Sequence, residues 1–486
     1  MLLKNFRENY QRFGLIAGPL CAILLGLFFA PDDLGPAGRA TAAMAAWMAI
    51  WWASEAVPFA VTALLPLVFF PLLGINDIKA TSSPYAHPTI YLFLGGFIVA
   101  KAIERWDLHK RIALGIFALV GTNARALVGG IMLAAALISM WISNTSTSLM
   151  LLPIATSIVA VVLHSVEGLS ETQRRNFSII MVLGLAYGAT IGGVATLVGT
   201  PPNIFLKGFM EETMGIEIGF GQWMLVGVPI SLTLLPIAWL VLTRFAYPVN
   251  FSTSQKTRQH LADLRTALGP VTPAQSRIGL IFILLALSWA CRDKLTTLTG
   301  LTGLTDAGLS IMAAIATFMM PSGDKAQRTL LTWEQAVKLP WGILILFGGG
   351  LTLAASVSSS GLAVWLGNSL SGLGAVNFVL LVLGATALVI FLTELTSNLA
   401  TTATFLPVMA ALAIKLDQDV LLLAVPVTLA ASCAFMLPIA TPPNAIAFSS
   451  NMITIPQMAR AGFMLNLIAI ALLLLVATLL VPLVFG

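Results

Sequence analysis

Two stretches of the chain share one short polar motif, and they decide the fold: SMWISNTST at 139–147 and TELTSNLAT at 393–401. Each interrupts a long apolar segment, 126–163 in the first half and 376–414 in the second. Polar, non-helical backbone at membrane depth is tolerated only where it lines a cavity. The pair therefore predicts two re-entrant hairpins, each entering and leaving the membrane on one side, whose tips meet at a common site.

Further matches show that the two halves of the chain are repeats. Leu94-Gly95-Gly96 is matched by Phe347-Gly348-Gly349, and the segment GTPPN at 199–203 is matched by ATPPN at 440–444. Together with the two tips they recur in the same order, at separations of 253, 254 and 241 residues. Five predicted spans separate the starts of the two units, so the second unit is inverted relative to the first. The glycine pairs indicate close helix packing.

The composition places these repeats in a membrane. Hydrophobic residues make up 58% of the 486-residue chain and charged residues only 9%, whereas soluble proteins carry roughly 25% charged residues. We therefore expect an all-α integral membrane protein with about eleven transmembrane helices besides the hairpins. The predicted spans lie near 13–30, 38–53, 57–73, 89–101, 178–198, 222–246, 278–300, 306–320, 341–361, 420–439 and 462–485.

The basic residues predict the orientation. With the N-terminus in the cytoplasm, 19 Lys and Arg residues fall on the cytoplasmic side and 6 on the outer side, which is the bias of the positive-inside rule. The C-terminus is then outside, and we expect a multi-pass protein of the cell inner membrane. The segment 102–124 predicts an amphipathic helix along the cytoplasmic interface. The segment 247–277 predicts the one sizeable soluble loop.

The repeated motifs offer hydroxyls, carboxamides and backbone carbonyls, which are the oxygen ligands that a hard cation such as sodium takes. Their broken helices also expose N-terminal N–H groups, which favour an anion. Neither polar cluster contains Arg or Lys, so bound cations must supply much of the charge that an anionic substrate needs. Cation and anion would then stabilise each other, which is a direct route to coupled transport.

With these motifs, the chain resembles the divalent anion/sodium symporter family over essentially its whole length. The resemblance rests on the paired tips and Thr-Pro-Pro-Asn segments, with WWASEAVP at 51–58 and LGGF at 94–97. It implies a homodimer in which a transport domain moves against a scaffold domain as an elevator. It also implies carriage of C4 dicarboxylates such as succinate, malate and fumarate, or of citrate or sulfate, with several sodium ions.

The resemblance also implies two sodium sites and a substrate site between them. The first sodium site would use Ser139, Ser143, Asn144 and the carbonyl of Gly199, and the second Thr393, Thr396, Asn398 and the carbonyl of Ala440. The substrate would meet both halves of the chain, at Ser143, Asn144, Thr145, Thr200, Ser397, Asn398, Thr441 and Pro442. Asn203 and Asn444 are expected to hold the broken helices in shape.

The resemblance divides the chain into five parts. Residues 1–88 and 222–340 would be mostly scaffold, 89–221 and 341–461 the two repeat cores, and 462–486 the last transmembrane helix. We expect lipid, sodium and a small dianion as partners, no organic cofactor and no nucleic acid.

Two residues of the second tip stand apart. Leu399 replaces the threonine that dicarboxylate carriers of this family have there, which leaves the identity of the dianion open. Glu394 is an intramembrane carboxylate; a hydrogen-bonded structural role is favoured over a role as a proton or cation carrier.

An intramembrane enzyme is disfavoured, since no paired aspartates or His-Glu-x-x-His helix are found, and so is a channel. A sodium-independent dicarboxylate exchanger, or a sulfate or citrate carrier, remains an alternative.

Overall fold

The computed structural model describes residues 2–121, 123–325, 327–369 and 377–486. Almost every element in this part of the chain is a helix. The α-helices are α1 Leu2–Phe28, α2 Pro36–Ser54, α3 Phe59–Thr62, α4 Leu65–Leu72, α5 Ile78–Ser82, α6 Pro88–Arg105, α7 Leu108–Leu119, α8 Ala124–Ser139, α9 Asn144–Ser165, α10 Glu171–Val194, α11 Pro201–Met214, α12 Phe220–Leu240, α13 Gln255–Ala267, α14 Pro273–Ala290, α15 Arg292–Thr299, α16 Asp306–Met319, α17 Trp333–Ala336, α18 Trp341–Ser359, α19 Leu362–Ser369, α20 Phe378–Thr393, α21 Asn398–Lys415, α22 Leu421–Ser432, α23 Pro442–Ser449, α24 Ile455–Leu475 and α25 Val481–Phe485. A 3₁₀ turn (Ser83–Ala86) precedes α6, and π-helical turns follow α12 (Val241–Ala246) and α24 (Val476–Leu480).

Nine helices of the described residues are long and apolar enough to cross a membrane. Seven coincide with predicted spans, and the other two are the second arms of the hairpins, α9 and α21. Of the remaining predicted spans, three correspond to shorter apolar helices and one to α2. The multi-pass, mostly helical architecture is therefore confirmed, while the count of eleven crossings stays a prediction.

The structure adds three details to the sequence prediction. The fold is not purely α-helical, because the strands β1 Pro321–Asp324 and β2 Gln327–Thr329 pair antiparallel. The predicted loop 247–277 contains the helix α13, whose sequence has no Gly or Pro to interrupt it. The predicted interfacial helix 102–124 is shorter, since α6 runs on to Arg105 and a left-handed Asp107 separates it from α7.

The two repeats are visible as matched sets of helices. In each, two helices are joined by a four-residue tip and pack against each other: α8 to α9 through residues 140–143, and α20 to α21 through residues 394–397. In each, a helix then breaks into two halves, α10 and α11 across residues 195–200, and α22 and α23 across residues 433–441. The first residue of the predicted segment 376–414 lies outside the described residues.

The repeats interlock. Helix α9 packs on α10 of its own repeat and on α23 of the other, and α21 packs on α22 and on α11. Glycines allow the closest approaches, as expected where small residues line helix contacts in membranes. A Cβ atom at Gly192 of α10 would collide with the backbone of Ala136 in α8, and one at Gly95 would collide with the backbone of Ser310. The packing role predicted for the paired glycines is thus confirmed, and each tip lies beside broken helices.

Candidate functional site

At the first tip the chain ends one helix, turns and begins another at Asn144. The Ser143 hydroxyl caps the new helix by accepting from the Ser146 N–H at 3.2 Å, as serine does at helix N-termini. The Ser139 hydroxyl bonds the Asn144 carboxamide. The same carboxamide atom lies 3.2 Å from the Ala189 carbonyl oxygen and 3.3 Å from the Gly199 carbonyl oxygen. Three elements therefore converge on one side-chain atom.

The identity of that atom decides what the cluster does. Turned one way, the carboxamide nitrogen of Asn144 donates to the carbonyls of Ala189 and Gly199. Turned the other way, its oxygen joins the Ser139 hydroxyl and the two carbonyls, so that four oxygens face one another. Of these four oxygens only the Ser139 hydroxyl can donate a hydrogen bond, so the other three are acceptors that a hard cation would suit. With the carboxamide oxygen in this place, the junction has the kind of oxygen donor set that a hard cation takes.

The second tip repeats this arrangement. The Thr393 hydroxyl lies 3.0 Å from Asn398 Oδ1 and 2.8 Å from the Ala431 carbonyl oxygen. Thr393 precedes Asn398 by five residues, as Ser139 precedes Asn144. In both repeats a hydroxyl, a carboxamide and a carbonyl of the broken helix therefore share one junction.

Not every predicted sodium ligand joins these junctions. Thr396 bonds within its own hairpin, to the Leu392 carbonyl at 3.1 Å and the Thr401 hydroxyl at 2.6 Å. Ser143 serves as the helix cap described above. Ala440 is buried at the end of the second break, and its N–H donates to the Leu437 carbonyl. The structure thus assembles Ser139, Asn144 and Gly199 on one side and Thr393 and Asn398 on the other.

Two carbonyls near these junctions escaped prediction, those of Ala189 and Ala431. Every residue carries a carbonyl, so sequence gives no direct sign of which one is used. An indirect sign exists at Gly193, where a Cβ atom would lie 2.5 Å from Asn144 Oδ1. A glycine is needed there for the tip to approach the helix.

The asparagines of the two Thr-Pro-Pro-Asn segments hold the breaks in shape, as predicted. Asn203 is fully buried, and its Nδ2 donates to the carbonyls of Val194 at 3.1 Å and Thr196 at 2.8 Å. Asn444 donates to the carbonyls ten and seven residues before it, at 3.1 and 3.0 Å. Carbonyls that lose their helical partners at a break are thereby satisfied.

The remaining predicted substrate residues lie at the starts of four helices. Ser143, Asn144 and Thr145 begin α9, and Ser397 and Asn398 begin α21; all five are half-buried. The other three open the half-helices α11 and α23: Thr200 and Thr441 are buried, and Pro442 is exposed. Helix N-termini stabilise negative charge.

Glu394 is fixed by hydrogen bonds, as the favoured interpretation predicted. It is 3% exposed, and its carboxylate accepts from the backbone N–H groups of Phe435, Met436 and Leu437 at 2.8 to 3.1 Å. A fifth hydrogen bond comes from Asn466 Nδ2 at 2.8 Å. The carboxylate thus satisfies the N–H groups that the second break sets free.

Leu399 differs from Thr145 in surroundings as well as in chemistry. Leu399 is 5% exposed and belongs to the main hydrophobic core, whereas Thr145 is half-buried. In this conformation the Leu399 side chain is therefore packed in the core next to the second tip, whereas Thr145 is accessible at the first.

Comparisons with known proteins agree on the family. A family model described as the sodium:sulfate symporter transmembrane region matches residues 11–485. The sodium-dependent dicarboxylate transporter SdcS of Staphylococcus saprophyticus is 39% identical, over 100% of this chain and 95% of its own length. SdcS of Staphylococcus aureus strain USA300 is 41% identical, over 98% of this chain and 92% of its own length.

Among solved structures, the YdaH transporter of Alcanivorax borkumensis has a similar fold, with a TM-score of 0.56 at 13% identity. The match covers 90% of this chain and 98% of that one. At this identity the likeness concerns the fold alone.

Proposed function

The chain belongs to the sodium:sulfate symporter transmembrane family, whose members are transporters and not enzymes, and we propose that it imports C4 dicarboxylates together with sodium ions. Succinate, malate and fumarate are the substrates that we propose. The observation that carries the proposal is the matched pair of junctions at Ser139–Asn144 and Thr393–Asn398. Two relatives of about 40% identity are named sodium-dependent dicarboxylate transporters, which supports the same conclusion.

The proposed sodium sites are centred on these junctions. Ser143, Thr396 and the Ala440 carbonyl do not join the junctions in this structure, and we propose that they complete the ligand sets when sodium binds. The first uses Ser139, Ser143, Asn144 and the Gly199 carbonyl, to which the geometry adds the carbonyl of Ala189. The second uses Thr393, Thr396, Asn398 and the Ala440 carbonyl, and the Ala431 carbonyl lies beside it. Sodium is carried with the substrate and is not a resident cofactor.

The proposed dianion site lies between the two tips, at the residues that the sequence indicates. The hydroxyls and N–H groups at the starts of α9, α11, α21 and α23 would bind the carboxylates, with no basic side chain in either tip segment. Because sodium supplies the missing positive charge, each ligand raises the affinity for the other. Without this coupling a carrier could not use the sodium gradient.

For the transport step we propose an elevator movement in a homodimer. The interlocked cores 89–221 and 341–461 would carry the site across the membrane, against a scaffold formed mostly by 1–88 and 222–340. The tight packing of α9 on α23 and of α21 on α11 supports movement of both cores as one body. The hairpins are re-entrant in this proposal, the N-terminus is cytoplasmic and the C-terminus, after helix 462–486, is outside the inner membrane.

Cysteine labelling tests this topology. In a chain whose Cys291 is replaced by serine, a cysteine at Gln255, the first residue of α13, should react with an impermeant maleimide only from the cytoplasmic side, and one at the exposed Gln418 only from the outer side. The parent chain, which keeps the exposed native Cys291, should label from the outer side and is the separate control for sidedness. Gly372, a second predicted outer position, lies outside the described residues. Labelling of Gln255 and Gln418 from one side would contradict the inverted repeat.

Leu399→Thr should alter selectivity without altering sodium dependence. The new hydroxyl offers one neutral hydrogen bond to the dianion, so relative affinities should change by up to about 1 kcal/mol. Because Leu399 is also a core residue, the variant should unfold at a lower temperature than the wild type. The measurement is competition by succinate, malate, citrate and sulfate on both proteins. An unchanged order with unchanged affinities would place Leu399 away from the substrate.

Uptake of labelled succinate by proteoliposomes tests the function itself. We expect uptake that requires an inward sodium gradient and is inhibited by unlabelled malate and fumarate. Sodium-insensitive uptake that requires an internal dicarboxylate would instead identify an exchanger. Stronger uptake of sulfate or citrate than of succinate would overturn the substrate assignment while leaving the family unchanged.

A further inference from the structure

A polar pocket of about 600 Å³ lies at the base of the first hairpin, away from the tips. It forms where the start of α8, the π-helical end of α12 and the segment after it meet. Its polar lining comes from Asn123, Arg125, Trp239, Arg244, Asn250 and Ser252. The transport proposal does not use any of these residues.

Two guanidinium groups face this pocket, and each has N–H donors that are not used within the described residues. Arg125 donates its Nε–H to the Val249 carbonyl at 2.8 Å, and its terminal nitrogens have no partner within the described residues. Arg244 is exposed, and within the same residues it has neither a hydrogen bond nor an ion pair. Guanidinium groups suit bidentate recognition of phosphate.

The chain segments that form the pocket contain no acidic residue that could neutralise this positive charge. Between Asp107 and Glu167 the sequence has no Asp or Glu, and the same holds between Glu217 and Asp263. Both pocket-forming segments lie within these two stretches. The pocket is therefore complementary to an anion.

The position of the pocket indicates what kind of anion. The apolar helix Phe220–Ala246 has 27 residues, which spans about 40 Å at 1.5 Å per residue, and the pocket lies at its end. Phe245, next to Arg244, is 64% exposed, and Trp239 lines the pocket itself. Tryptophan is enriched at the boundary between lipid tails and headgroups, and an exposed phenylalanine beside it suits contact with lipid tails.

We propose that this pocket binds the phosphate headgroup of an anionic phospholipid, through Arg125 and Arg244, with the acyl chains along Phe245. Basic pockets between helices at the cytoplasmic face bind such headgroups. The pocket also joins the first hairpin to α12, since Ala124 N–H donates to Phe251 at 3.1 Å and Trp239 Nε1 donates to the Arg125 carbonyl at 2.8 Å. A bound headgroup would therefore stabilise the contact between the base of the first hairpin and α12.

Native mass spectrometry of the full chain tests the proposal. The purified protein is titrated in detergent with dioleoyl phosphatidylglycerol, with phosphatidylcholine of the same chains and with glycerol 3-phosphate. We expect one phosphatidylglycerol per chain, half-saturating at roughly tenfold lower concentration than either comparison ligand. Arg244→Gln should weaken that binding about tenfold, and Arg244→Lys should weaken it less.

Arg265→Gln is the matched control, because Arg265 is an exposed arginine on α13 that does not line the pocket. It should bind phosphatidylglycerol as the wild type does. Arg244 is exposed and has no hydrogen bond or ion pair within the described residues, so its replacement should leave the protein folded, and an unchanged elution volume checks this. Wild-type binding by Arg244→Gln, equal weakening by Arg265→Gln or equal binding of phosphatidylcholine would overturn the proposal. Equally tight binding of glycerol 3-phosphate would assign the pocket to a soluble phosphate instead.

Discussion

Asn144→Ala and Asn398→Ala should each abolish sodium-driven uptake of succinate and leave a folded protein. Each carboxamide lies at the centre of one junction, where it meets a hydroxyl and the broken helix. Loss of one ligand to a charged group costs about 1.5–3 kcal/mol, which lowers sodium affinity by roughly ten- to a hundredfold. Because transport needs both sites, loss of either should be sufficient.

The measurement is initial uptake into proteoliposomes across a range of sodium concentrations. Asn451→Gly is a matched control in the second repeat, since Asn451 has a φ of 58°, which glycine adopts without strain. That variant should transport normally. Wild-type sodium dependence in Asn144→Ala or Asn398→Ala would refute the proposed ligand at that tip.

Glu394→Ala should destabilise the protein more than any other single change considered for the second repeat. The substitution leaves the buried Phe435 N–H, the half-buried N–H groups of Met436 and Leu437, and the buried Asn466 amide without their acceptor. Each unsatisfied buried group costs about 1–3 kcal/mol, so we expect a loss of at least about 3 kcal/mol and a marked fall in the unfolding temperature. Glu394→Gln keeps one acceptor oxygen and should be less harmful.

The first repeat supplies the control for this prediction. Met140 occupies the position that corresponds to Glu394, and the first break is held by Thr196, whose hydroxyl bonds the Met140 carbonyl. Met140→Ala should therefore be mild, because the backbone makes the bond. If Glu394→Ala unfolded at the wild-type temperature but lost transport, the carboxylate would be an ion or proton carrier instead of a structural acceptor.

The sequence was sufficient for the paired features. The hairpin tips, the broken helices and the bracing asparagines Asn203 and Asn444 were all predictable, because polar residues repeated inside apolar segments have few explanations other than a cavity. For Glu394 the sequence favoured a hydrogen-bonded role and left a proton or cation carrier as the alternative, and the structure shows the hydrogen bonds.

Features set by tertiary contact were not predictable. The β-ribbon 321–329 adjoins Leu330, whose carbonyl accepts from Arg105 and from Trp106 at 2.8 Å, more than 220 residues away in the chain. The carbonyls of Ala189 and Ala431 are chosen by the packing of a tip on a broken helix. The burial of Leu399 likewise depends on core residues that lie outside its motif.

In the proposed mechanism, sodium and the dianion stabilise each other at the paired tips. The most direct measurement is the dissociation constant of succinate for the purified protein, by calorimetry, as choline is replaced by sodium at constant ionic strength. We predict that affinity rises by about tenfold or more between low and high sodium, a coupling of roughly 1.4 kcal/mol or more. An identical dissociation constant in choline and in sodium would contradict the proposed coupling between sodium and the dianion.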